Sequence, residues 1–318
     1  MTEALATAKP ARVRIQRRPL HGVLLLDKPL GLSSNDALQK AKWLLRAEKA
    51  GHTGTLDPLA TGLLPLCFGA ATKFSQLSLD ADKRYLATLA LGIRTTTGDA
   101  EGEVLERLDA DHITREQVEA ASRAFVGEIA QMPPMYSALK HEGKALYEYA
   151  RAGVEIERKS RRVTIHAIAI VAMHAGTVTL DVRCTKGTYI RTLAEDIGAK
   201  LGVGASLAAL RRTGSGGLTL DGAVTLAQIE ALPDAERAAL LTSPDRLLAD
   251  APELRLDMPD AVRFLSGLRR CVDVPDAERV RVYGPEPRAF LGSAHITSGE
   301  LIADRLLTPP EVQALLSA

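Results

Sequence analysis

Residues 51–62 read Gly-His-Thr-Gly-Thr-Leu-Asp-Pro-Leu-Ala-Thr-Gly. Three glycines and one proline in twelve residues argue against a regular helix there. Each glycine also marks a point where the backbone must turn or be closely approached. The run lies between apolar stretches, so it predicts a tight segment joining core elements. It carries one carboxylate, Asp57, with no second acid beside it, no Ser-His partner and no metal-ligand spacing. A lone aspartate held this way is either a structural cap, since Asp-Pro commonly opens helices, or a nucleophile.

Composition limits the alternatives. The 318 residues predict about two domains. No apolar window of about 18 residues exists, and residues 1–19 are small, polar and basic, so neither a membrane span nor a signal core is expected. Cys67, Cys184 and Cys271 are far apart and form no CxxC pair, which predicts buried thiols in a reducing, cytoplasmic setting. The histidines show no HxxxH or HExxH spacing, so no metal site is expected. The net charge of +1 hides an uneven distribution. Residues 1–49 hold ten Lys/Arg against four Asp/Glu, a net of +6, and residues 183–212 hold six against two, a net of +4. Residues 99–128 hold three against nine, a net of −6. This suits a basic, RNA-binding face and an acidic outer face, although solvated surface explains charge runs equally well.

Local patterns supply the elements. Residues 22–27 read as a strand, and Ser33-Ser34-Asn35 offers caps for a helix bearing Ala37, Leu38, Ala41, Leu44 and Leu45. Residues 83–91 alternate as a strand, with Tyr85, Ala87, Leu89 and Leu91 on one face. Thr114 and Gln117 form a capping box for an acidic helix to about Phe125. Paired prolines keep 131–140 out of a helix, and a tyrosine- and lysine-bearing stretch follows. Residues 163–171 read as a buried strand and 177–184 as an alternating one. Lys186-Gly187-Thr188 turns into a helix with an apolar stripe of Ile190, Leu193, Ala194, Ile197 and Leu201, which leaves Arg191 off the stripe. Residues 231–250 read as helical. Strands and helices do not alternate strictly, which predicts an α+β fold with a mixed, mainly antiparallel sheet.

Four segments, in this order, resemble the TruB family of tRNA pseudouridine synthases over about residues 21–318. They are residues 22–29 with Ser33-Ser34-Asn35, the run 51–62, Lys83-Arg84-Tyr85, and residues 186–193 with Leu210-Arg211-Arg212 downstream. The resemblance implies the pseudouridine synthase fold with a small β-rich, PUA-like C-terminal domain. It implies a basic disordered tail over 1–20, a catalytic domain over 21–250 with a T-arm-binding insertion at about 95–155, and an RNA-binding domain over 251–318. It implies isomerisation of uridine 55 in the T loop of tRNA, with no cofactor or metal and no protein partner, by a cytoplasmic monomer.

Site roles follow from the same resemblance. Asp57 matches the catalytic aspartate, which attacks the nucleoside or removes a ribose proton. Arg191 matches its ion-pair partner, and a nearby guanidinium favours the charged carboxylate. Tyr85 matches the tyrosine that stacks on the target base, and His52 the residue that fills the space the flipped uridine leaves. Tyr189 and Leu210 match the uracil pocket. Lys28, Lys140, Arg211 and Arg212 are candidate RNA contacts. Taken alone, Tyr85, Tyr189 and Leu210 would be packing residues, His52 a turn residue and Arg191 a solvated arginine. Three other readings are an aspartyl phosphotransferase, a non-catalytic RNA-binding or tRNA-folding protein, and a purely structural protein. The first places its aspartate ahead of Thr-Gly-Thr and needs further acids for Mg²⁺, which are not apparent here. The residues 251–318 carry a net charge of −2, with eight Arg against ten Asp/Glu, and are less basic than the PUA resemblance leads one to expect.

Overall fold

The computed structural model describes residues 16–317. Most of the expected basic tail, as far as residue 15, lies outside the described residues. Its remainder is not free. Arg18 N–H donates to the Arg46 carbonyl (2.7 Å), and the Arg17 guanidinium donates to the Ala47 carbonyl (2.9 Å).

From there the chain forms β1 (Gly22–Lys28), α1 (Ser34–Leu44), β2 (Ala50–His52), β3 (Ala60–Phe68), α2 (Ser75–Asp80) and β4 (Lys83–Leu91). A hairpin of β5 (Ile93–Thr95) and β6 (Val104–Arg107) follows, then α3 (Arg115–Arg123) and β7 (Gly127–Gln131). A second hairpin, β8 (Lys140–His141) and β9 (Lys144–Ala145), leads into α4 (Leu146–Arg151). Next come β10 (Arg161–His174), β11 (Thr177–Cys184), α5 (Ile190–Leu201), β12 (Ala205–Ser215), β13 (Leu218–Thr219) and α6 (Leu226–Ala231). The last part comprises β14 (Glu253–Arg255), α7 (Met258–Leu265), β15 (Arg270–Cys271), β16 (Ala277–Tyr283), β17 (Phe290–Thr297), β18 (Glu300–Leu306) and α8 (Pro309–Leu316).

The main sheet runs β1-β3-β12-β4-β11-β10-β7, with β2 paired to β3 and β13 to β12. Within it only β3 and β12 are parallel, so the sheet is mixed and mainly antiparallel. A second sheet, β14-β16-β17-β18-β15, forms a β-rich C-terminal part.

Burial explains the sequence patterns. Both faces of β1 are covered, Leu24 and Leu26 by α1 and α6, Val23 and Leu25 by Ala71 and Leu218. Hence its sequence is a continuous apolar run. Strand β4 has one face in the core, with Tyr85, Ala87, Leu89 and Leu91 packed against Leu193, Ala194 and Ile197 of α5. Ser33 caps α1 by accepting from Asp36 N–H, and the Thr114–Gln117 capping box opens α3.

Two readings need correction. Beyond Ile165, β10 is not a buried strand. Only residues 161–165 pair with β7, so the far half is a sheet edge and Val171 is 56% exposed. Residues 231–250 are not one helix either. Pro233 and Pro244 interrupt them, and only short 3₁₀ turns form at Arg237–Leu240 and Pro244–Leu248.

The parallel pair places the functional segment. Leu210 of β12 lies opposite Ala60 of β3 and Ala87 of β4, and Arg212 lies opposite Gly62 and Tyr85. Gly62 has φ +97°, and a Cβ there would stand 2.3 Å from the Arg212 carbonyl oxygen. Strain and clash therefore add at this position. Gly62→Ala is expected to destabilise the protein by roughly 2–5 kcal/mol, read as a lowered urea midpoint in equilibrium unfolding.

Candidate active site

Asp57 lies on the loop between β2 and β3, and that loop is fixed from several sides. Ser34 Oγ accepts from Leu56 N–H (2.7 Å) and lies 3.1 Å from the Leu56 carbonyl. The Pro58 carbonyl accepts from Gly31 N–H (2.9 Å), and the Asp57 carbonyl accepts from Ala60 N–H (3.0 Å). Below, Thr53 N–H donates to the Pro65 carbonyl (3.1 Å), and Ser78 donates to the Thr53 hydroxyl (3.0 Å). The loop thus presents its carboxylate with little freedom.

Arg191, in the first turn of α5, meets it. Its Nη2 is 2.8 Å from Asp57 Oδ2. The Arg191 side chain is 5% exposed and that of Asp57 42%, so the cation is internal and the carboxylate faces the cleft. The same guanidinium reaches Asp99 Oδ2 through Nε (3.5 Å), the Thr97 carbonyl through Nη1 (3.1 Å) and the Tyr136 carbonyl through Nη2 (2.5 Å). A buried guanidinium with five donors needs such a set of acceptors. Arg191 is therefore off the apolar stripe yet buried, because polar partners rather than water cover it.

Asp99 is itself 3% exposed. Its Oδ1 accepts from Thr97 (2.5 Å) and from Glu101 N–H (3.1 Å). Burial is the largest influence on Asp57 and pushes its carboxyl above the usual range. Arg191 opposes this by favouring the charged form, Asp99 adds to it, and Lys28 opposes it more weakly. The guanidinium was expected to hold the carboxylate ionised, and it acts in that direction, but desolvation outweighs it.

Two cavities meet at this pair. One, of about 800 Å³, is lined by Asp57, Tyr85, Tyr189, Arg191, Leu210 and Arg212, with Lys186, Arg161 and Arg162 also on its lining. The other, of about 570 Å³, has Asp57 and Arg191 in common with the first and adds His52, Asn35, Asp99 and Tyr136. Five of the six expected central residues therefore share one cleft, and His52 stands in the neighbouring one. Its Nδ1 is buried without a hydrogen-bond partner, and burial, aided by Arg212, lowers its pKa. Tyr85 is 8% exposed; burial raises its phenol pKa, and Arg212 works the other way. Burial likewise raises the pKa of Tyr189.

Of the expected RNA contacts, two are internal. Lys28 is fully buried, and its ammonium donates to the Pro29 (2.9 Å) and Leu32 (2.5 Å) carbonyls. Burial lowers its pKa to about 8. Arg212 is 1% exposed and donates to the Leu63 (2.7 Å) and Gly54 (3.3 Å) carbonyls. These two cations are spent on backbone carbonyls and are not free for phosphate. Arg211 is half-exposed and makes a bidentate pair with Asp27 (3.0 and 2.8 Å). Lys140 is exposed on the β8–β9 hairpin. Sequence reasoning missed Asp99, which lay inside an acidic run read as an outer face, and Gln131, whose amide bonds to the Tyr189 backbone. It also missed Lys186 as a lining cation, whereas Arg161 and Arg162 lie in the stretch 140–162 that was expected to supply phosphate contacts along the cleft. Among the described residues no group of three or more His, Cys, Asp or Glu is placed to hold a metal, and no helix is long and apolar enough to cross a membrane.

Two family models match this chain. They describe a TruB family pseudouridylate synthase N-terminal domain, over residues 42–190, and a tRNA pseudouridylate synthase B C-terminal domain, over residues 191–249. The tRNA pseudouridine synthase B of Verminephrobacter eiseniae is 58% identical over 97% of this chain and 95% of its own length. That of Ralstonia nicotianae is 60% identical over 92% of this chain and 95% of its own. Among solved structures, the archaeal box H/ACA sRNP Nop10–Cbf5 complex has a chain with a TM-score of 0.68 at 22% identity, covering 92% of this chain and 88% of that one. A Cbf5–Nop10–Gar1 complex gives a TM-score of 0.69 at 23% identity, covering 92% and 87%. At such identities these two speak for the fold.

The electrostatics of the pair can be checked directly. In Asp99→Asn the Asp57 carboxyl is expected to titrate at lower pH than in wild type, because a repelling charge is gone and Arg191 is left to one carboxylate. The ¹³C carboxyl shift of labelled aspartate against pH reports this. A shift to higher pH would mean that Asp99 acts chiefly by holding Arg191 in place.

Proposed function

The chain belongs to the TruB family of pseudouridylate synthases, and from that premise we propose that it converts uridine 55 in the T loop of tRNA to pseudouridine. The observation that carries the reading is the Asp57–Arg191 pair, 2.8 Å apart, at a cleft walled by Tyr85, Tyr189 and Leu210. Such a cleft offers a carboxylate paired to a guanidinium beside flat aromatic and apolar walls, which is what a uracil ring undergoing isomerisation needs.

A base stacked in an RNA loop cannot reach a carboxylate inside a cleft, so the uridine is extruded from the loop first. Tyr85 then stacks on the uracil, Tyr189 and Leu210 line its pocket, and His52 fills the space the base leaves. His52 suits a filling role because burial favours its neutral form. In the reaction the C1′–N1 bond breaks, the uracil turns, the C1′–C5 bond forms, the C5 proton leaves and N1 gains one. Atoms and redox state balance without a cofactor. Asp57 enters either by attacking the nucleoside or by removing a ribose proton, and both routes start from the ionised carboxylate. Arg191 supplies the charge that keeps that form accessible despite burial.

Binding falls to exposed cations around the cleft, Arg161, Arg162, Lys186 and Lys140, acting on phosphates. The insertion at about 95–155 clamps the T arm, and the C-terminal sheet is a PUA-like RNA-binding domain. The protein acts as a cytoplasmic monomer. Its grip on the T arm also assists tRNA folding, a role that does not need Asp57.

Release of tritium from tRNA labelled at C5 of uridine tests the reading. Wild type is expected to release it without added metal or nucleotide, and Asp57→Asn to release none while binding tRNA with an unchanged Kd. Turnover by purified Asp57→Asn would overturn the assignment. Arg191→Lys is expected to fold and to lose about 100-fold or more in rate, since a point charge cannot span Asp57, Asp99 and two carbonyls. The rate of wild type is expected to fall on the acid side with an apparent pKa above that of an ordinary aspartate, because the raised Asp57 pKa moves loss of the carboxylate to higher pH.

A further inference from the structure

Gln131, the last residue of β7, is 2% exposed and spends its whole side-chain amide on one backbone position. Its Nε2 donates to the Tyr189 carbonyl (3.0 Å), and its Oε1 accepts from Tyr189 N–H (2.8 Å). The amide thus stands in for a neighbouring strand at a single residue. Tyr189 is the N-cap of α5, and its own side chain makes no cap hydrogen bond. Its φ of −94° and ψ of 109° mark the point where the chain stops being extended and starts to coil. Arg191 follows two residues later. An error in direction at Tyr189 is therefore carried into the guanidinium that meets Asp57.

The segment after Gln131 returns to the same guanidinium. Pro133 and Pro134 restrict the backbone, Arg158 donates to the Pro133 carbonyl (3.1 Å), and the Tyr136 carbonyl accepts from Arg191 Nη2 (2.5 Å). One short stretch thus holds α5 at its N-cap and at the Arg191 side chain. We infer that Gln131 is the positioning residue for Tyr189 and Arg191, and that its neutral amide is needed because one position must both accept and donate. This rests on the pseudouridine-forming reading of the cleft. A leucine fills similar space but makes neither bond. An ionised glutamate accepts from Tyr189 N–H but repels the carbonyl, whereas its protonated form donates and accepts as the amide does.

The test is single-turnover tritium release at saturating tRNA, with Kd and thermal unfolding measured on the same preparations of wild type, Gln131→Leu and Gln131→Glu. In Gln131→Leu the rate is expected to fall about 10- to 100-fold with Kd changed less than about threefold, because the phosphate contacts lie elsewhere. In Gln131→Glu the rate relative to wild type is expected to recover as pH falls from about 8.5 to about 6.5, since a buried carboxyl protonates in that range. If Gln131→Leu does not fold, the pH profile of Gln131→Glu decides alone. A wild-type rate in Gln131→Leu, or a Gln131→Glu rate that keeps a constant ratio to wild type across pH, overturns the inference. Absence of tritium release from wild type would instead sink the reading it rests on.

Discussion

A guanidinium buried to 5% exposure cannot be left without acceptors, and much of the site is organised around meeting that demand for Arg191. The acceptors come from three separate parts of the chain: the 51–62 loop through Asp57, the turn after β5 through Thr97 and Asp99, and the proline stretch through Tyr136. Two carboxylates share one cation. Asp99 is the more deeply buried and has further donors from Thr97 and Glu101 N–H. Asp57 has the cleft. The internal carboxylate is thereby satisfied by the protein, and the outer one keeps lone pairs free for something that enters.

Similar reasoning applies at Lys28, Lys83 and Arg212. Lys83 is 6% exposed, donates to the Ser78 (2.9 Å) and Ala81 (2.5 Å) carbonyls, and has its pKa lowered by burial to about 8. Each cation donates to backbone carbonyls next to the loop that carries Asp57 or the strand that carries Tyr85. The C-terminal sheet is joined to the main one by a different means. Phe74, Leu248, Tyr283, Phe290 and Leu307 form a small apolar cluster, with Tyr283 donating to Asp245 (2.5 Å) and Lys73 to Glu311 (2.5 Å).

What the sequence made legible were features with a local physical cause. The alternation of β4, the caps of α1 and α3 and the stripe of α5 depend on neighbours within a few residues, and each is found where its pattern lay. Asp57 stood out because glycines isolate it. Arg191 was identifiable only through resemblance, since being off an apolar stripe ordinarily means solvent. Asp99 gave no signal, because an acid in an acidic run differs from its neighbours only by where the β5–β6 hairpin places it. Lys28 and Arg212 misled for the complementary reason: a basic residue in a basic segment reads as phosphate-binding until its carbonyl partners are seen. The pair of prolines at 233 and 244 carried enough information to break the helix expected at 231–250, and composition alone outvoted them.

Asp57 and Arg191 stand on the lining of both cavities, together with Thr55, Leu56, Ser137 and Ala138. Occupancy of either side then changes the dielectric surroundings of the same carboxylate. By linkage, whatever fills one chamber alters the affinity of the other for its own occupant and for a proton, and the effect is reciprocal. A strand of nucleic acid that lodged one nucleotide on each side would bind as a coupled unit, with its grip sensed at the Asp57 carboxyl.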